Sequence, residues 1–560
     1  MSRTQTPRVL IVTGGLVSGT ERSVLQVARK WWAQWRCADA AWLDTKIKLT
    51  SAEPVIAWRS EVRRLGRLSG KLAPGASAVL SDRTNAETAS LTEVTLMTLL
   101  HRAGMPFETI ELSALFSKPR RLAEALDSTT CVLLSTTYLH DLSEVAPVLA
   151  RLKRSHNHIV VGGALTSILR DEWSSLPEVD VVAVGYGEML VEPLISWINS
   201  GFTSLAPPEG GRLRRVARTM FLYSGTPKTE SLDYLPAPDW TLASPGRNGA
   251  ARMVYYESVR GCPYRCAFCN YPFLFNDNKF RLKSARRIAS DWEHYACDLG
   301  VEYVTCLDSL FTVPRARLQD LCRLLIDRDR PVKWICYARA DDLSDERAVA
   351  LIKEAGAHQV HIGIESGDPR ILDNMNKACS VESNARALQN CRRYGLTTAV
   401  SVIVGFPGET RESLEKTYDF LEENPPDFYF LATFSTRAAG VPILEPQARD
   451  RFGLRVSNNA RNMAPYWEHT TMSCCEVCNH VRELDSRLMK NKIALNATLF
   501  YPGMLSYEPD HRETLLDLQR RAATRHPAQK SLFDIAHAFV DRRLEASVRA
   551  TLGTAARARG

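Results

Sequence analysis

The most distinctive chemical feature of the chain is a group of three cysteines in one short run, Arg260-Gly-Cys-Pro-Tyr-Arg-Cys-Ala-Phe-Cys-Asn270. Cys262, Cys266 and Cys269 have the spacing C-x3-C-x2-C, so three thiolates of one loop can each bind one iron of a [4Fe–4S] cluster. A cluster that only carries electrons is normally closed by four cysteines. The fourth iron is left open here, which predicts chemistry at that iron through an exogenous ligand.

Two other interpretations use the same thiols. A structural zinc site needs a fourth Cys or His, usually as part of a second pair. His294, Cys297 and Cys306 lie downstream and leave that alternative open. A set of disulfides is disfavoured because three cysteines so close together cannot all pair, and nothing marks the chain as secreted. We expect the cluster because the sequence after the loop supports it independently.

The sequence around and after the cysteines alternates strand-like and helix-like segments. Helices of about 10–15 residues between strands indicate a parallel sheet with helical crossovers. Six such units predict a partial (β/α)6 barrel rather than a full barrel of eight, with functional residues at the carboxyl ends of its strands. The strands are predicted at 254–259, 301–306, 332–337, 359–363, 398–404 and 428–432, and helices at 284–296, 316–327 and 345–355.

Several residues that could bind a ligand follow these strands. Gly363-Ile-Glu-Ser-Gly367 comes after the fourth strand and Gly405-Phe-Pro-Gly-Glu-Thr410 after the fifth. A carboxylate can accept hydrogen bonds from ribose hydroxyls, and glycines let the backbone approach a ligand closely. Asp308 and Arg339 lie at other strand ends. Each is a candidate for ligand contact, with a plain salt bridge as the alternative.

The chain before the cysteines has its own α/β pattern. Residues 77–205 predict a doubly wound domain of ordinary size, whose strands lie at 77–81, 107–112, 130–135, 158–163 and 179–184. Ligands of such sheets bind outside the carboxyl ends of the strands. Those ends carry Ser135-Thr-Thr-Tyr-Leu-His140, Val161-Gly-Gly-Ala-Leu-Thr166 and Gly185-Tyr-Gly-Glu188. No G-x-G-x-x-G follows the first strand, so a nicotinamide dinucleotide is not expected.

The cysteine loop, with Phe268 just before its last cysteine, resembles the signature loop of the radical S-adenosylmethionine (SAM) superfamily. In that family the methionine amine and carboxylate of SAM chelate the open iron. The resemblance implies that Glu365 and Ser366 lie near the SAM ribose, and that backbone around Ile403 to Gly405 supports the adenine. Arg339 is then a candidate for the SAM carboxylate and Asp308 for the substrate.

The N-terminal domain is similar to the Rossmann-like cobalamin-binding domain that precedes many radical SAM cores. The motif Asp-x-His-x-x-Gly, whose His is the lower ligand of cobalt in many such domains, does not occur here. The resemblance therefore implies a lower face that is open or shielded by Arg83, Tyr138 or Leu139. A domain that binds nothing and only braces the barrel is the alternative. The residues implied to line the cobalamin pocket are Ser135, Thr136, Gly162, Gly163, Gly187 and Glu188.

Together these segments resemble the cobalamin-dependent (class B) radical SAM methylases. The resemblance implies methylation of a carbon of a small natural-product precursor, with aromatic substrates such as the indole of tryptophan included. SAM cleavage to a 5′-deoxyadenosyl radical and polar methyl transfer from methylcobalamin both occur in the family. A cyclase or ring-rearranging enzyme with the same cofactors is one alternative, and a cobalamin-binding sensor with a structural cluster is another. A methylthiolating enzyme of tRNA would need three more N-terminal cysteines, whereas only Cys37 and Cys131 precede the loop.

The remaining segments are assigned by position. We expect an accessory segment at 1–76, a linker at 206–247, the radical SAM core at 248–440 and a helical domain at 441–560 that caps the substrate pocket. Cys474, Cys475 and Cys478 are predicted to be reduced thiols, with a metal site that includes His469 and His480 as the alternative. The aromatic residues expected at the pocket are Tyr466, Trp467, Phe500 and Tyr501.

Composition agrees with this assignment. The chain has 560 residues, of which 45% are hydrophobic, and its 14 cysteines are scattered in a way that indicates a reducing cytoplasm. No apolar run approaches the length of a membrane span. The net charge of +8 is spread along the chain, so nucleic acid is not an expected partner. We expect a monomer that takes electrons from a donor of the flavodoxin or ferredoxin type.

Overall fold

The computed structural model describes residues 8–14, 42–66, 74–139, 142–243, 251–273, 279–329, 331–436, 441–457, 465–524 and 527–553. In these residues the chain forms two seven-stranded sheets, one N-terminal and one central, each flanked by helices. None of the helices in these ranges is both long enough and apolar enough to cross a membrane. Cys37 and His140, which the sequence analysis singled out, lie outside the described residues.

The N-terminal sheet has the strand order β2-β1-β3-β4-β5-β7-β6. All neighbours are parallel except β6 and β7, which form an antiparallel pair at one edge. The central strands β1 and β3 are buried along their whole length, because helices cover both faces of the sheet. The strands are β1 (Val9–Thr13), β2 (Phe107–Glu111), β3 (Cys131–Ser135), β4 (His158–Gly162), β5 (Val181–Val184), β6 (Arg212–Val216) and β7 (Thr219–Tyr223).

The helices before the cysteine loop connect and cover these strands. The longest of those that flank the sheet between β1 and β6 span 91–102, 142–152 and 187–199. Their bounds are α1 (Trp42–Gly66), α2 (Pro74–Ser81), α3 (Thr84–Glu87), α4 (Leu91–Arg102), α5 (Ala114–Ser117), α6 (Pro119–Asp127), α7 (Leu142–Leu152), α8 (Ala164–Leu169) and α9 (Gly187–Asn199).

Three predictions for this half of the chain are wrong. The strand expected at 77–81 is helix α2, whose alanines favour a helix and whose buried Ala76 and Val79 have helical spacing. The first strand of the sheet is β1, so the sheet begins inside the segment predicted as accessory. The segment 206–247, predicted as a linker, contributes β6 and β7 to the same sheet.

The central sheet has the order β18-β15-β14-β13-β12-β11-β8, and all its neighbours are parallel. All six predicted strands are confirmed, and the two-residue strand β18 adds a seventh. Two further sheets each have two antiparallel strands, β9 with β10 and β16 with β17. The strands of this half are β8 (Met253–Tyr256), β9 (Val259–Arg260), β10 (Arg281–Leu282), β11 (Tyr303–Cys306), β12 (Lys333–Ala338), β13 (Ala357–Glu365), β14 (Thr397–Val404), β15 (Phe428–Thr433), β16 (Arg455–Val456), β17 (Trp467–Glu468) and β18 (Leu495–Asn496).

The helices of this second half begin at side chains that can cap them. Ser284 accepts a hydrogen bond from Arg287 N, and Ser380 and Thr410 form reciprocal capping boxes. The predicted helices at 284–296, 316–327 and 345–355 are confirmed. The bounds are α10 (Ala285–Cys297), α11 (Arg315–Asp327), α12 (Ala340–Leu343), α13 (Glu346–Glu354), α14 (Pro369–Asn374), α15 (Val381–Arg393), α16 (Arg411–Glu423), α17 (Pro446–Phe452), α18 (Cys474–Lys490), α19 (Ala497–Phe500), α20 (Arg512–Thr524) and α21 (Pro527–Leu552).

The open side of the barrel, between its edge strands β8 and β18, is crossed by the chain's own segments. After β18 the chain passes through α19 and a 3-10 turn to Ser506, which accepts a hydrogen bond from Arg252 just before β8. Asp82 pairs with Arg252 at 3.1 Å and accepts a 2.6 Å hydrogen bond from Ser506. The Asn85 amide donates to the Tyr501 carbonyl at 2.8 Å. N-terminal and C-terminal segments therefore meet beside the barrel and close it.

Candidate functional site

The cysteine loop leaves β9 and is held against the carboxyl end of the central sheet by backbone contacts. Ala267 N donates to Met375 O at 2.7 Å, and Ile443 N donates to Ala267 O at 3.0 Å. The Asn376 amide donates to Arg265 O at 2.8 Å. The cysteines of the loop are partly exposed and are not in disulfides. The loop therefore offers three free thiols at one end of the barrel.

The surroundings of the thiols fit an anionic cluster. Burial raises the pKa of the Cys262 thiol. It also raises the pKa of the Cys269 thiol, to about 11, while backbone N–H groups of Tyr264 and Tyr271 donate to the two sulfurs. Lys377 stabilises the thiolates of both cysteines electrostatically. Such N–H donors and a nearby cation are what a cluster held by thiolates requires.

The zinc alternative finds no support in this arrangement. Within the described ranges, no three His, Cys, Asp or Glu side chains are placed to hold a single metal ion. Thiolates of a cluster each bind a separate iron and need no such convergence. His294 pairs with Asp298 on the exterior, Cys297 is exposed and Cys306 is in the hydrophobic core. These three residues are therefore not the fourth ligand of the loop.

Asp308, predicted as a substrate contact, holds the strand that leads into the loop. Its carboxylate accepts hydrogen bonds from Ser258 N at 2.7 Å, Ser258 Oγ at 2.5 Å and Val259 N at 2.9 Å. The side chain is buried, and burial raises its pKa to about 6. Both carboxylate oxygens are thus engaged by the chain itself, so Asp308 is better described as a positioning residue.

Arg339 joins the cysteine loop to the turn after α14. Its guanidinium lies 3.8 Å from the centre of the Tyr264 ring, and its Nη2 donates to Lys377 O at 2.8 Å and Ala378 O at 2.9 Å. Nε donates to Asp341 at 2.8 Å. These contacts place Arg339 beside the loop, and its contact with a SAM carboxylate stays a prediction.

Glu365 forms a buried ion pair that sequence reasoning missed. Its Oε1 lies 2.9 Å from Lys377 Nζ, and the two side chains are 7% and 10% exposed. Lys377 Nζ lies 5.8 Å from the centre of the Phe268 ring, so the pair reaches the cysteine loop. Although burial alone lowers the pKa of Lys377, the charges of Glu365 and Cys266 raise it. The pair places a carboxylate and a cation between the loop and β13.

The glycines near this pair are required by close contacts. Glu365 itself has a φ of +62°, a left-handed conformation that is costly for a residue with a side chain. A Cβ at Gly363 would lie 2.3 Å from Glu365 Oε1, and one at Gly367 would lie 2.7 Å from Lys416 O. The run Gly363–Gly367 therefore lets strand β13 approach helix α16 while its carboxylate turns toward the loop.

Ser366 is placed differently from the prediction. Its hydroxyl is 3.3 Å from Thr417 Oγ1 and accepts a 3.1 Å hydrogen bond from Asp368 N. The residue is fully buried against α16. The hydroxyl thus faces helix α16, which carries Thr417. Of the two side chains predicted near the ribose, the hydroxyl of Ser366 is turned away.

The turn after β14 is shaped by a carboxyl group that the sequence analysis did not assign. Gly405 has a φ of +89°, and a Cβ there would lie 2.3 Å from Val477 Cγ2. The backbone N–H groups of Gly405 and Phe406 donate to Glu409, and burial raises the pKa of that carboxyl to about 8. Ile403, two residues earlier, is only partly buried and faces the barrel interior beside Ser401. The contact of the backbone at Ile403 to Gly405 with an adenine stays a prediction.

The carboxyl edge of the N-terminal sheet is open at β3 and β4. Thr136 Oγ1 and N both donate to Gly162 O at 2.7 Å, which holds the two strand ends together. Gly163 is exposed with a φ of +101°, and a Cβ there would lie 2.9 Å from Thr137 Oγ1. Tyr138 is 54% exposed. Exposed backbone without bulky side chains, at the carboxyl ends of these strands, leaves room for a large flat ligand.

Other residues predicted for this pocket divide into two groups. Leu139 belongs to the hydrophobic core and cannot shield a cofactor, and Ser135 is buried with its hydroxyl 3.2 Å from Thr137 Oγ1. Arg83 is exposed at the start of α3, and no atom lies within 4 Å of a Cβ built at Gly187. Tyr138 and Arg83 are therefore the accessible candidates for the lower face of cobalt.

Glu188 was predicted to line the pocket, but it forms an ion pair with Arg260, the second residue before Cys262. Both side chains are nearly buried, at 9% and 10% exposed. Arg260 also pairs with Glu257 at 2.8 Å. The loop after β5 is thereby tied to the strand that carries the cysteines, so the prediction for Glu188 is corrected to a link between domains.

The C-terminal thiols are part of the packing. Cys474 and Cys478 are fully buried, and burial raises the pKa of Cys478 to about 12. The described residues offer no group of His, Cys, Asp and Glu here that could hold a metal ion. Trp467 stacks on His469 with ring centres 5.5 Å apart. The prediction of reduced thiols agrees with this arrangement.

Residues 256–421 match the family model of the radical SAM superfamily. This span holds the cysteine loop, Glu365 and the turn at Gly405. This span is similar to a radical SAM domain. A domain of this family implies SAM and a [4Fe–4S] cluster, in agreement with the donor set of the loop.

Two curated relatives extend beyond the radical SAM domain. An uncharacterized methyltransferase of Pyrococcus horikoshii is 25% identical over 321 residues, which are 56% of this chain and 68% of that protein. An anaerobic magnesium-protoporphyrin IX monomethyl ester cyclase of Rubrivivax gelatinosus is 28% identical over 323 residues, or 51% of this chain. The match spans 56% of the length of that cyclase.

Two solved structures share the architecture of both sheets. The radical SAM methyltransferase TsrM of Kitasatospora setae, with cobalamin and a [4Fe–4S] cluster bound, has a TM-score of 0.59 at 16% identity, over 77% of this chain and 95% of that chain. The cobalamin-dependent radical SAM enzyme OxsB has a TM-score of 0.55 at 17% identity, over 83% of this chain and 74% of that chain. The predicted order of a Rossmann-like domain before a radical SAM barrel is confirmed.

Loss of the link between the Rossmann-like sheet and the radical SAM domain should be measurable. Glu188→Gln removes one of the carboxylate partners of the nearly buried Arg260, and removing one partner of a buried pair costs about 2–5 kcal/mol. We expect faster hydrogen exchange in 257–262. The matched control is Glu192→Gln, on the exposed side of the same helix α9. Equal exchange in both variants would contradict the assigned role of Glu188.

Proposed function

We propose that this chain is a cobalamin-dependent radical SAM methyltransferase that methylates a carbon atom of a small molecule. One observation carries the proposal: the carboxyl edge of the Rossmann-like sheet is tied, at the start of α9 after β5, to the strand β9 that leads into the cysteine loop, through Glu188 and Arg260. A ligand at Gly163 and a ligand at the loop would therefore face one common space. Bound there, the cluster and cobalamin would supply one-electron reduction of SAM and a transferable methyl group.

The residues of the radical SAM domain would orient SAM at the cluster. Cys262, Cys266 and Cys269 would hold three irons, and the carboxylate of Glu365 would accept from the ribose. Lys377 holds that carboxylate in place, because the two side chains form a buried ion pair at 2.9 Å. The adenine edge would lie along the backbone at Ile403, since the N–H groups of Gly405 and Phe406 already donate to Glu409. Exposed Pro263 and Arg265 on the loop support our further proposal that a flavodoxin-type or ferredoxin-type donor reaches the cluster from this side.

The residues of the Rossmann-like sheet support cobalamin. TsrM and OxsB, which share the fold, are cobalamin-bound structures. In this chain Thr137, Tyr138 and Gly163 are exposed at the edge where such a ligand would lie. A cobalt held here would have the phenol of Tyr138 or the guanidinium of Arg83 near its lower face instead of an imidazole.

A cyclase or ring-rearranging enzyme with the same cofactors is the second candidate. It is favoured by the match to the cyclase of Rubrivivax gelatinosus, whose sequence identity to this chain is higher than that of the methyltransferase of Pyrococcus horikoshii. The match spans a smaller share of the cyclase than of the methyltransferase. Both candidates need the same cofactor sites. They differ only in whether a methyl group of SAM appears in the product.

The experiment that tests the proposal is anaerobic purification from cells supplied with cobalamin, followed by quantitation of iron, sulfide and cobalamin in one sample. We expect about four irons and one cobalamin per chain. SAM carrying a deuterated methyl group then separates the two candidates, because a methyltransferase moves the label into a product. Iron without cobalamin would overturn the assignment of the Rossmann-like sheet, and both cofactors without any SAM turnover would favour a sensor.

A single methyl group at the open edge should block cobalamin. Gly163→Ala places a Cβ 2.9 Å from Thr137 Oγ1 and 3.0 Å from Thr137 N in a backbone of φ +101°, so the edge must shift. We expect at least a tenfold loss of cobalamin per chain, measured by absorbance after denaturation, with iron unchanged. The control is Gly104→Ala, which carries a similar strain at φ +67° but has no atom within 4 Å. Equal cobalamin in the two variants would remove Gly163 from the site.

A further inference from the structure

A cavity of about 390 Å³ lies between helix α4 and the strands that lead into the cysteine loop. Leu91, Thr95 and Leu99 line it from α4, since residues four apart lie along the same face of a helix. The segment 235–238 forms a second wall, and Lys283 lines the cavity from the side of the radical SAM domain. None of the described residues around this cavity is assigned to SAM or to the cluster.

The segment 235–238 is anchored on both sides, so the cavity is part of the fold. On one side, the backbone N–H of Asp239 donates to the hydroxyl of Thr98 on α4 at 2.8 Å. On the other side, the guanidinium of Arg287 on α10 donates to the carbonyl of Leu235 at 2.9 Å. The walls are therefore held apart by the chain itself, as they are in most binding sites for small molecules.

Lys283 has no close anionic partner among the residues that the structure describes. The residue is 3% exposed, and its Nζ lies 3.7 Å from Asp291 Oδ2, which is longer than a hydrogen bond. Asp291 already accepts hydrogen bonds from Tyr256 at 2.6 Å and from Arg287 at 2.8 Å. Burial lowers the pKa of Lys283, although Asp291 and Glu257 act in the opposite direction. The ammonium is buried with less compensation than its desolvation requires.

The two carboxylates that line the cavity, by contrast, are held by arginine. Glu188 and Glu257 both pair with Arg260. Arg281 is fully buried beside them, and its guanidinium and that of Arg260 lie 5.5 and 5.6 Å from the centre of the Tyr186 ring. Two guanidinium groups thus accompany the two carboxylates. The lysine ammonium remains the cation for which a ligand can supply the counter-charge.

We propose that this cavity binds a small apolar monocarboxylate, with the carboxylate at Lys283 and the apolar part against Leu91, Leu99 and Leu235. A hydrogen bond between a buried ammonium and a carboxylate is charge-assisted and therefore strong. The leucine side chains add affinity in proportion to the apolar surface that the ligand removes from water. A second charge on the ligand would be buried without a partner, which is strongly unfavourable.

A ligand in this position would bridge the two halves of the chain. It would contact α4, which covers the Rossmann-like sheet, and the region around Arg260, the second residue before Cys262. The site is separate from the predicted positions of the cofactors. It goes beyond the proposed function and does not depend on the identity of the molecule that is methylated.

The test is equilibrium dialysis of the anaerobic, full-length protein with 4-methylpentanoate, 4-methylpentanamide and acetate as probes. The acid and the amide have nearly the same shape and differ in charge, whereas acetate lacks the apolar tail. We expect 4-methylpentanoate to bind about tenfold more tightly than the amide, because only the acid forms an ion pair with the ammonium. Acetate should bind more weakly than 4-methylpentanoate, because it buries little apolar surface. Equal affinity for the acid and the amide would overturn the inference.

Two variants separate the charge of the site from its space. Lys283→Met keeps most of the side-chain volume and should remove the preference for the acid over the amide. Thr95→Phe leaves every charge in place but fills the cavity from α4, so it should abolish binding of 4-methylpentanoate. This second variant decides the matter on its own if Lys283→Met does not fold.

Each variant has a matched control. Lys279→Met removes a lysine whose side chain is 52% exposed, and Thr92→Phe adds the same ring on the exposed side of α4. Both controls should bind 4-methylpentanoate as tightly as the unchanged protein does. Binding that survives in Thr95→Phe, or a preference for the acid that survives in Lys283→Met, would place the ligand elsewhere and overturn the inference.

Discussion

Replacing Cys266 with alanine is expected to remove the cluster and abolish all SAM-dependent chemistry. Cys266 is the middle ligand of the loop and lies close enough to Cys262 and Cys269 to affect the pKa of each thiol. Two thiolates cannot hold a [4Fe–4S] cluster in place of three, so iron should fall from about four per chain to near zero. Iron and sulfide analysis of anaerobically purified protein measures this directly.

The control for this change is Cys297→Ala, which removes an exposed cysteine at the end of α10. That variant should keep its iron and its activity. Cobalamin content should be unchanged in both variants, because the proposed cobalamin edge at Gly163 includes neither cysteine. Iron retained in Cys266→Ala at the level of Cys297→Ala would show that the loop is not the cluster site.

Replacing Lys377 with methionine should have the largest effect on stability among the residues of the site. The change leaves the carboxylate of Glu365 buried without its cation, and breaking a buried pair in this way costs about 3–5 kcal/mol. Methionine keeps most of the side-chain volume, so the effect is electrostatic rather than a cavity. The midpoint of urea unfolding, followed in the radical SAM domain, should shift accordingly.

Two further variants make this result specific. Lys416→Met removes an ion pair with Asp368 of 3.2 Å in which the lysine is 50% exposed, and should cost less than about 1 kcal/mol. The double variant Lys377→Met with Glu365→Gln should recover part of the lost stability, because no buried charge then remains without a partner. A loss in Lys377→Met no larger than in Lys416→Met would contradict the buried-pair assignment.

The residues on which these predictions depend differ in whether the sequence alone could identify them. The spacing of Cys262, Cys266 and Cys269 is local, so the loop and its chemistry can be inferred from eight consecutive residues. The glycine runs after β13 and β14 are equally local. Lys377 could not be assigned in this way, because it lies 12 residues from Glu365 and beyond the end of another helix. Its partner is determined by the path of the chain between them.

Alternating strands and helices determined the parallel barrel, since the periods of 2 and 3.6 residues can be detected in any short window. The same method failed at 77–81, where small apolar residues fit both periods and contact with the turn at Tyr501 stabilises the helix. It also assigned β1 to an accessory segment, because nothing in the five residues of a strand reveals which sheet it joins. Membership of a sheet is decided by partners far along the chain.

The sequence by itself determined the cluster loop, the six main strands of the barrel and the edge that resembles a cobalamin site. The tertiary structure alone decided which side chains face each other. Glu188 pairs with Arg260, 72 residues away, instead of lining the predicted pocket, and the hydroxyl of Ser366 faces α16. The ring contacts of His361 with Tyr337 and Phe430 likewise join side chains of three different strands. Backbone periodicity is a local property of the chain, whereas the direction and partner of a buried side chain depend on packing between distant segments.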